Sequence, residues 1–296
     1  MALIVIVISL ILEFVVARWQ ELRQLHWLDS FRQALYQRLP ADWTTGWRGL
    51  IALLVPVVLG MLLLQALVND RAFGLLELLL GIAVLTYCLG PESFDELVNQ
   101  YLRACEEKDV RQAQLIAKKI LLEPLSTNIH HLSAQVTRAV FYEAEKRLFG
   151  VLFWFLLLGP AGALLYRMAV FLAEENYHAG GTASEPAMVL HGILDWAPSR
   201  LLALTFFMTG SYDDAARGWR KSFIAGAVDL SLRNRMFVIL TGSAAMRHEV
   251  DDSVVHPDNQ EEYDLQWLRV ARVLIIRSLI VWVAVIALLT LAGLFV

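Results

Sequence analysis

Residues 191–210 read HGILDWAPSRLLALTFFMTG, a stretch oily enough to enter a bilayer that nevertheless carries Asp195, Pro198 and Arg200. At the centre of a membrane helix each charge costs about 2.5–3.5 kcal/mol unless it is paired or hydrated. A guanidinium in such a place can hold an anionic group by forked hydrogen bonds. An adjacent carboxylate can orient it or accept from a ligand amine. A proline opens the backbone ladder and leaves carbonyls that seek a polar cavity. Asp195 and Arg200 are separated by about 500° around a regular helix, so they are not ideally stacked, and Pro198 lies between them. The alternative reading is an Asp–Arg pair that only braces helix packing.

Other ionisable residues fall at membrane depth: Glu13, Glu77, Arg167 and Arg277. Glu13 has no basic partner within its own segment, so it faces the interior of a bundle or carries a proton. Arg167 either joins the site or snorkels to an interface. Glu77 lies near a turn, where water reaches it. Glu143, with Glu145 and Arg147, stands where a polar helix meets an apolar run. It is a further acid for the site or part of a solvated face. The candidate ligand-binding set is therefore Glu13, Glu143, Arg167, Asp195 and Arg200. No catalytic residue is assigned. The adjacent His130 and His131 point about 100° apart on a helix and lack a supporting ligand, so no metal is expected. Cys88 and Cys105 fit neither a disulfide nor a zinc spacing.

These residues need elements to hold them. The chain has 296 residues, 57% hydrophobic and 18% charged, with a mean hydropathy of +0.54. Soluble domains are about 25% charged. The apolar residues gather in segments 2–17, 50–68, 72–90, 148–173, 187–210 and 273–296, near the length that spans a bilayer. The expected fold is an all-α integral membrane protein with about six transmembrane or membrane-embedded helices. Segment 187–210 either crosses fully or re-enters. The apolar N-terminus lacks a basic leader and a cleavage site, so it reads as a retained span.

Lys and Arg set the orientation. Connections 18–49, 91–147 and 211–272 are rich in both, whereas 174–186 has neither and carries Glu174, Glu175 and Glu185. Six crossings with both termini outside place every basic connection in the cytosol. Residues 1–296 then form a single polytopic domain, with a cytosolic helical insertion at 91–147 and a second cytosolic helical segment at 211–272. Within the insertion, Ser93 and Glu96 form a capping box. Asp109 caps a second helix that stops near Pro124, and a third, from about Ile129, runs into the span at Leu148. The stretch 223–246, broken by Asp229, Arg233, Asn234 and Arg235, reads as a surface or interfacial helix. No phosphate-binding glycine motif and no basic block for nucleic acid is present.

Two stretches carry a family resemblance. FGVLFWFLLLGPAGALLYR (149–167) and LDWAPSRLLALTFFMTG (194–210) look like the AmpE group of bacterial inner-membrane proteins, as do GPESFDELVNQYLRACEEKDVRQA (90–113) and the early Glu13. That group is distantly similar to the CobD/CbiB membrane enzymes of cobalamin synthesis. The first resemblance implies a multi-pass sensor or regulatory protein of the inner membrane. It would be tied to muropeptide recycling and β-lactamase induction and functionally linked to the AmpD amidase. The second implies an ATP-dependent, amide-forming ligase acting on a cobalamin precursor or related substrate. The E-N-x-x-D spacing of those enzymes is missing from FYEAEKRLFGVLFW, and their HPV stretch is absent. Whether the chain is an enzyme stays open, and no cofactor is named. The expected partners are the lipid bilayer, a cell-wall-derived or nucleotide ligand, and a second copy of the chain. Gly159–Gly162, Ala284, Ala287 and Ala292 would give that copy faces for close helix contact.

Overall fold

The computed structural model describes residues 2–15, 26–40, 43–68, 74–90, 94–121, 126, 129–179, 185–224, 229–250 and 260–293. Among them every regular element is helical. The helices are α1 (Ala2–Val15), α2 (His26–Tyr36), α3 (Gly46–Val68), α4 (Leu75–Cys88), α5 (Phe94–Glu106) and α6 (Val110–Ile120), followed by α7 (Ile129–Ala144). Then come α8 (Gly150–Ala179), α9 (Glu185–Thr209), α10 (Tyr212–Ile224), α11 (Leu230–Ala245) and α12 (Gln260–Leu291). A π-helical turn, Glu145–Phe149, joins α7 to α8, as the expected run from Ile129 into the span requires. Among the described residues three stretches are long and apolar enough to cross a bilayer: Gly46–Val68, His131–Glu174 and Asp264–Leu291. Ala2–Glu13 and Leu75–Cys88 are apolar but shorter. The chain is a membrane protein.

The helices gather into two compact units. The first comprises residues 1–93, 150–194 and 286–296. In it α1 packs on α4, and α4 and α3 pack on α8. Gly81 lets α1 approach: a Cβ there would stand 3.1 Å from a Val5 methyl. On α3, Leu59, Leu62, Leu63 and Leu67 all point outward, an apolar surface suited to lipid. The GPAG stretch breaks α8. Gly159 takes φ 65° and ψ −155°, a region reserved for glycine. Ala161 and Gly162 are buried within the chain beside that break, with Gly162 pressed against the Trp154 carbonyl.

The second unit comprises residues 94–149 and 195–285. Helices α5 and α6 form a hairpin whose turn passes through Lys108 at φ 56°. As expected, Asp109 caps α6, accepting from the Gln112 amide at 2.9 Å; Ser93 lies outside the described residues. Helix α7 packs on α6 and on α11. Ion pairs tie α12 down: Arg272 to Asp95 at 2.5 and 2.8 Å, and Arg269 to Glu106. Arg277 pairs with Glu249 at 2.7 Å. Trp282 donates to Thr205 at 3.0 Å.

Of the expected surface or interfacial helix over 223–246, helix α11 overturns the surface reading. Asn234, Phe237, Val238, Ile239, Thr241, Gly242 and Ala245 are buried. Its glycines and those it faces make this possible. A Cβ on Gly242 would lie 2.7 Å from the Phe141 ring, and one on Gly218 of α10 would lie 2.8 Å from Ala244. The charged residues that suggested a surface occupy only one end.

Candidate functional site

The second unit gathers charge around the π turn. A π turn widens the helix and is frequent at functional sites; here it carries Glu145, Lys146 and Arg147. Glu143, one residue before α7 ends, is buried. Its carboxylate lies 2.6 Å from the Lys146 ammonium and 2.9 Å from Arg147 Nε. Lys146 is itself only 1% exposed and lies 4.9 Å from the Tyr142 ring centroid. Glu143 is thus a buried ion-pair partner rather than part of a solvated face.

Glu145 is 0% exposed, and among the described residues neither of its carboxyl oxygens has a hydrogen-bond donor. Asp195, also 0% exposed, lies against it, with Lys146 and Arg200 in electrostatic range. Two carboxyls bond each other only when one carries a proton. The Glu145 carboxyl is therefore an acceptor that calls for a proton or an ammonium. Among the described residues no three His, Cys, Asp or Glu side chains are grouped closely enough to hold a metal ion.

Opposite in charge is Arg200, on the α9 turn after Pro198. One of its terminal nitrogens donates to the Trp196 carbonyl at 2.8 Å, to Ser199 Oγ at 3.2 Å and to Asn234 Oδ1 at 2.8 Å. The guanidinium lies between two rings, 4.6 Å from the Trp196 centroid and 5.0 Å from Phe237. Pro198 removes the backbone donor that would bond the residue-194 carbonyl, and Trp154 Nε1 donates to that carbonyl at 3.0 Å instead. Ser199 and Asn234 are both fully buried. The guanidinium is thus positioned by α9 and α11 together, leaving further N–H groups for an anionic oxygen.

Of the residues singled out by sequence, Glu143, Asp195 and Arg200 belong to this unit. Glu13 and Arg167 belong to the other. Glu13 is buried on α1. Arg167 packs over Gly90, where an added Cβ would stand 3.2 Å from its guanidinium. Sequence reasoning assigned no role to Glu145, Lys146, Ser199 or Asn234. A carboxylate and an ammonium directly before seventeen mostly apolar residues, RLFGVLFWFLLLGPAGA from Arg147, was the available signal for the first two. Asn234 gave none, because its partner lies thirty-four residues away.

Against known proteins, the chain is 32% identical over 158 residues to "Cobalamin biosynthesis protein CobD" of Chromobacterium violaceum, covering 49% of this chain and 47% of that one. It is 27% identical over 195 residues to the protein of the same name from Stutzerimonas stutzeri, covering 60% and 63%. The chain therefore spans about half to just under two thirds of the length of these curated relatives. No solved structure matches it. Residues 1–296 match the family described as "Regulatory signalling modulator protein AmpE". With its long apolar helices and its charged stretch before the α8 span, the chain belongs to the AmpE family.

Proposed function

We propose that the protein is a multi-pass regulator of the bacterial inner membrane, tied to muropeptide recycling and β-lactamase induction, that senses a small ligand at Glu145, Asp195 and Arg200. The family supports the regulatory role. The single observation behind the sensing site is the buried Glu145 carboxyl without a donor, since a buried polar group left unsatisfied costs about 1–3 kcal/mol. The layout suits a zwitterionic, peptide-like ligand. Its ammonium would meet the carboxyl pair, and its carboxylate would meet Arg200. Glu143 holds Lys146 in place, and Glu13 and Arg167 remain additional candidates from sequence. The charge pattern supports six crossings, with 91–147 and 211–272 in the cytosol.

The test is β-lactamase induction in strains carrying Glu145→Gln, Asp195→Asn or Arg200→Lys, with membrane abundance measured alongside. Each variant is expected to lose induction at normal abundance. Arg200→Lys should fail because an ammonium cannot reproduce the flat fork held between two rings. Normal induction in all three would remove this site from the mechanism.

A second reading is an ATP-dependent, amide-forming ligase. It is favoured by the two curated relatives, both named for cobalamin biosynthesis. Expression in a cobalamin-requiring strain lacking its own CobD separates the readings: growth without added cobalamin supports the ligase, and failure at normal abundance counts against it.

A further inference from the structure

Away from the carboxyl pair, the second unit holds a cavity of about 850 Å³ between α10, α11, the short 3-10 turn Arg247–Glu249 and α12. Its lining is strongly basic: Arg217, Lys221, Arg247 and His248 surround it, with Trp267 along one wall. Among the described residues the acid in the lining is Asp214, which is 2% exposed and already engaged. It pairs with Arg217, accepts from Ser211 Oγ at 3.0 Å and lies 2.9 Å from His248 Nε2. Asp214 therefore positions the basic rim, and among the described lining residues Lys221 and Arg247 are positive charge in excess of it.

The frame beneath the rim is stiff. Gly218 brings α10 against the Leu240 carbonyl and Ala244. The turn into α10 is fixed by the Ser211 amide donating to the Ala245 carbonyl at 2.8 Å. The backbone that carries the cations is thus fixed, and Asp214 holds two of them, Arg217 and His248, at the rim.

We infer that this cavity is an anion site for a phosphate- or diphosphate-bearing ligand, with the charged group held by Arg217, Lys221 and Arg247 and the rest of the ligand lying along Trp267. Guanidinium forks match phosphate oxygens, and an ammonium adds a point charge. An indole wall accepts a flat or apolar substituent. The same chemistry is offered by a soluble phosphoryl compound and by an acidic phospholipid headgroup. The site is separate from Glu145 and Asp195 and does not depend on them.

The experiment uses the full-length protein in nanodiscs of phosphatidylcholine, with binding of radiolabelled pyrophosphate followed by equilibrium dialysis. Saturable, salt-sensitive binding is expected. Lys221→Gln and Arg247→Gln should each weaken it by about tenfold, the loss typical of one charge-assisted contact. Asp195→Asn should leave it unchanged. A second arm repeats the titration in discs containing phosphatidylglycerol. Pyrophosphate that binds undiminished there assigns the site to soluble ligands; displacement that is relieved in Arg247→Gln assigns it to the lipid headgroup. Lys118→Gln, an exposed change on α6 away from the cavity, should bind pyrophosphate like the parent and serves as the folding control. No saturable pyrophosphate binding in phosphatidylcholine discs, or equal binding by the parent and both charge variants, overturns the proposal.

Discussion

Two buried acids beside the π turn should answer mutation in opposite ways. Glu143 balances the buried Lys146 ammonium at 2.6 Å, so Glu143→Gln should destabilise the protein by about 3 kcal/mol or more, and a second change, Lys146→Met, should recover part of the loss. Glu145 faces a second carboxyl, Asp195, rather than a cation it neutralises. Glu145→Gln gives Asp195 an amide donor, so it should raise the thermal midpoint in detergent while abolishing induction, the usual trade of stability against a functional site. A fall in midpoint with induction intact would show Glu145 to be structural. Asp195 and Arg200 were legible in the sequence because charge inside an oily segment is conspicuous. Glu145 was not. On a regular helix it lies about 200° from Glu143, and the polar run around it looked like a hydrated face; only the π turn and its burial show otherwise.

Helices were legible where the cue was local. Asp109 foretold the start of α6. What failed was α11, whose burial rests on glycine contacts with partners distant in sequence. Gly218→Ala, which drives a methyl into the Leu240 carbonyl and Ala244, should cost about 1–3 kcal/mol in chemical or thermal denaturation. Gly159→Ala should cost about as much, since alanine is strained at φ 65° and ψ −155°. In the α5–α6 hairpin, burial pushes the Tyr101 phenol above its ordinary value of 10.0, partly offset by its hydrogen bond with Ser133. The folded state thus keeps its proton more tightly than the unfolded one. The stability this confers is complete below pH 10.0 and is lost as pH rises toward the folded value. Helicity followed by circular dichroism should fall on alkaline titration, and Tyr101→Phe should blunt that fall.

For the whole molecule, membrane character was plain from composition, whereas the number of crossings was not, because α9 carries charge and α1 and α4 are short. Topology is open to a direct test. Ser184 lies in the connection that lacks Lys and Arg, so a Ser184→Cys protein should react with a membrane-impermeant thiol reagent in intact spheroplasts. Labelling only after lysis would overturn the six-crossing proposal. The π turn also leaves a mark that can be read in genomes. It accommodates one residue more than a regular helical turn would, so losing a single codon between 145 and 149 would let α7 run on as regular helix up to the break at Gly159. Glu145 and Lys146 belong to that turn, so regular spacing of about 100° per residue would re-aim their side chains and take Glu145 away from Asp195. Length at this point should therefore be conserved in lineages that use the carboxyl pair and free to shrink by one in those that have abandoned it.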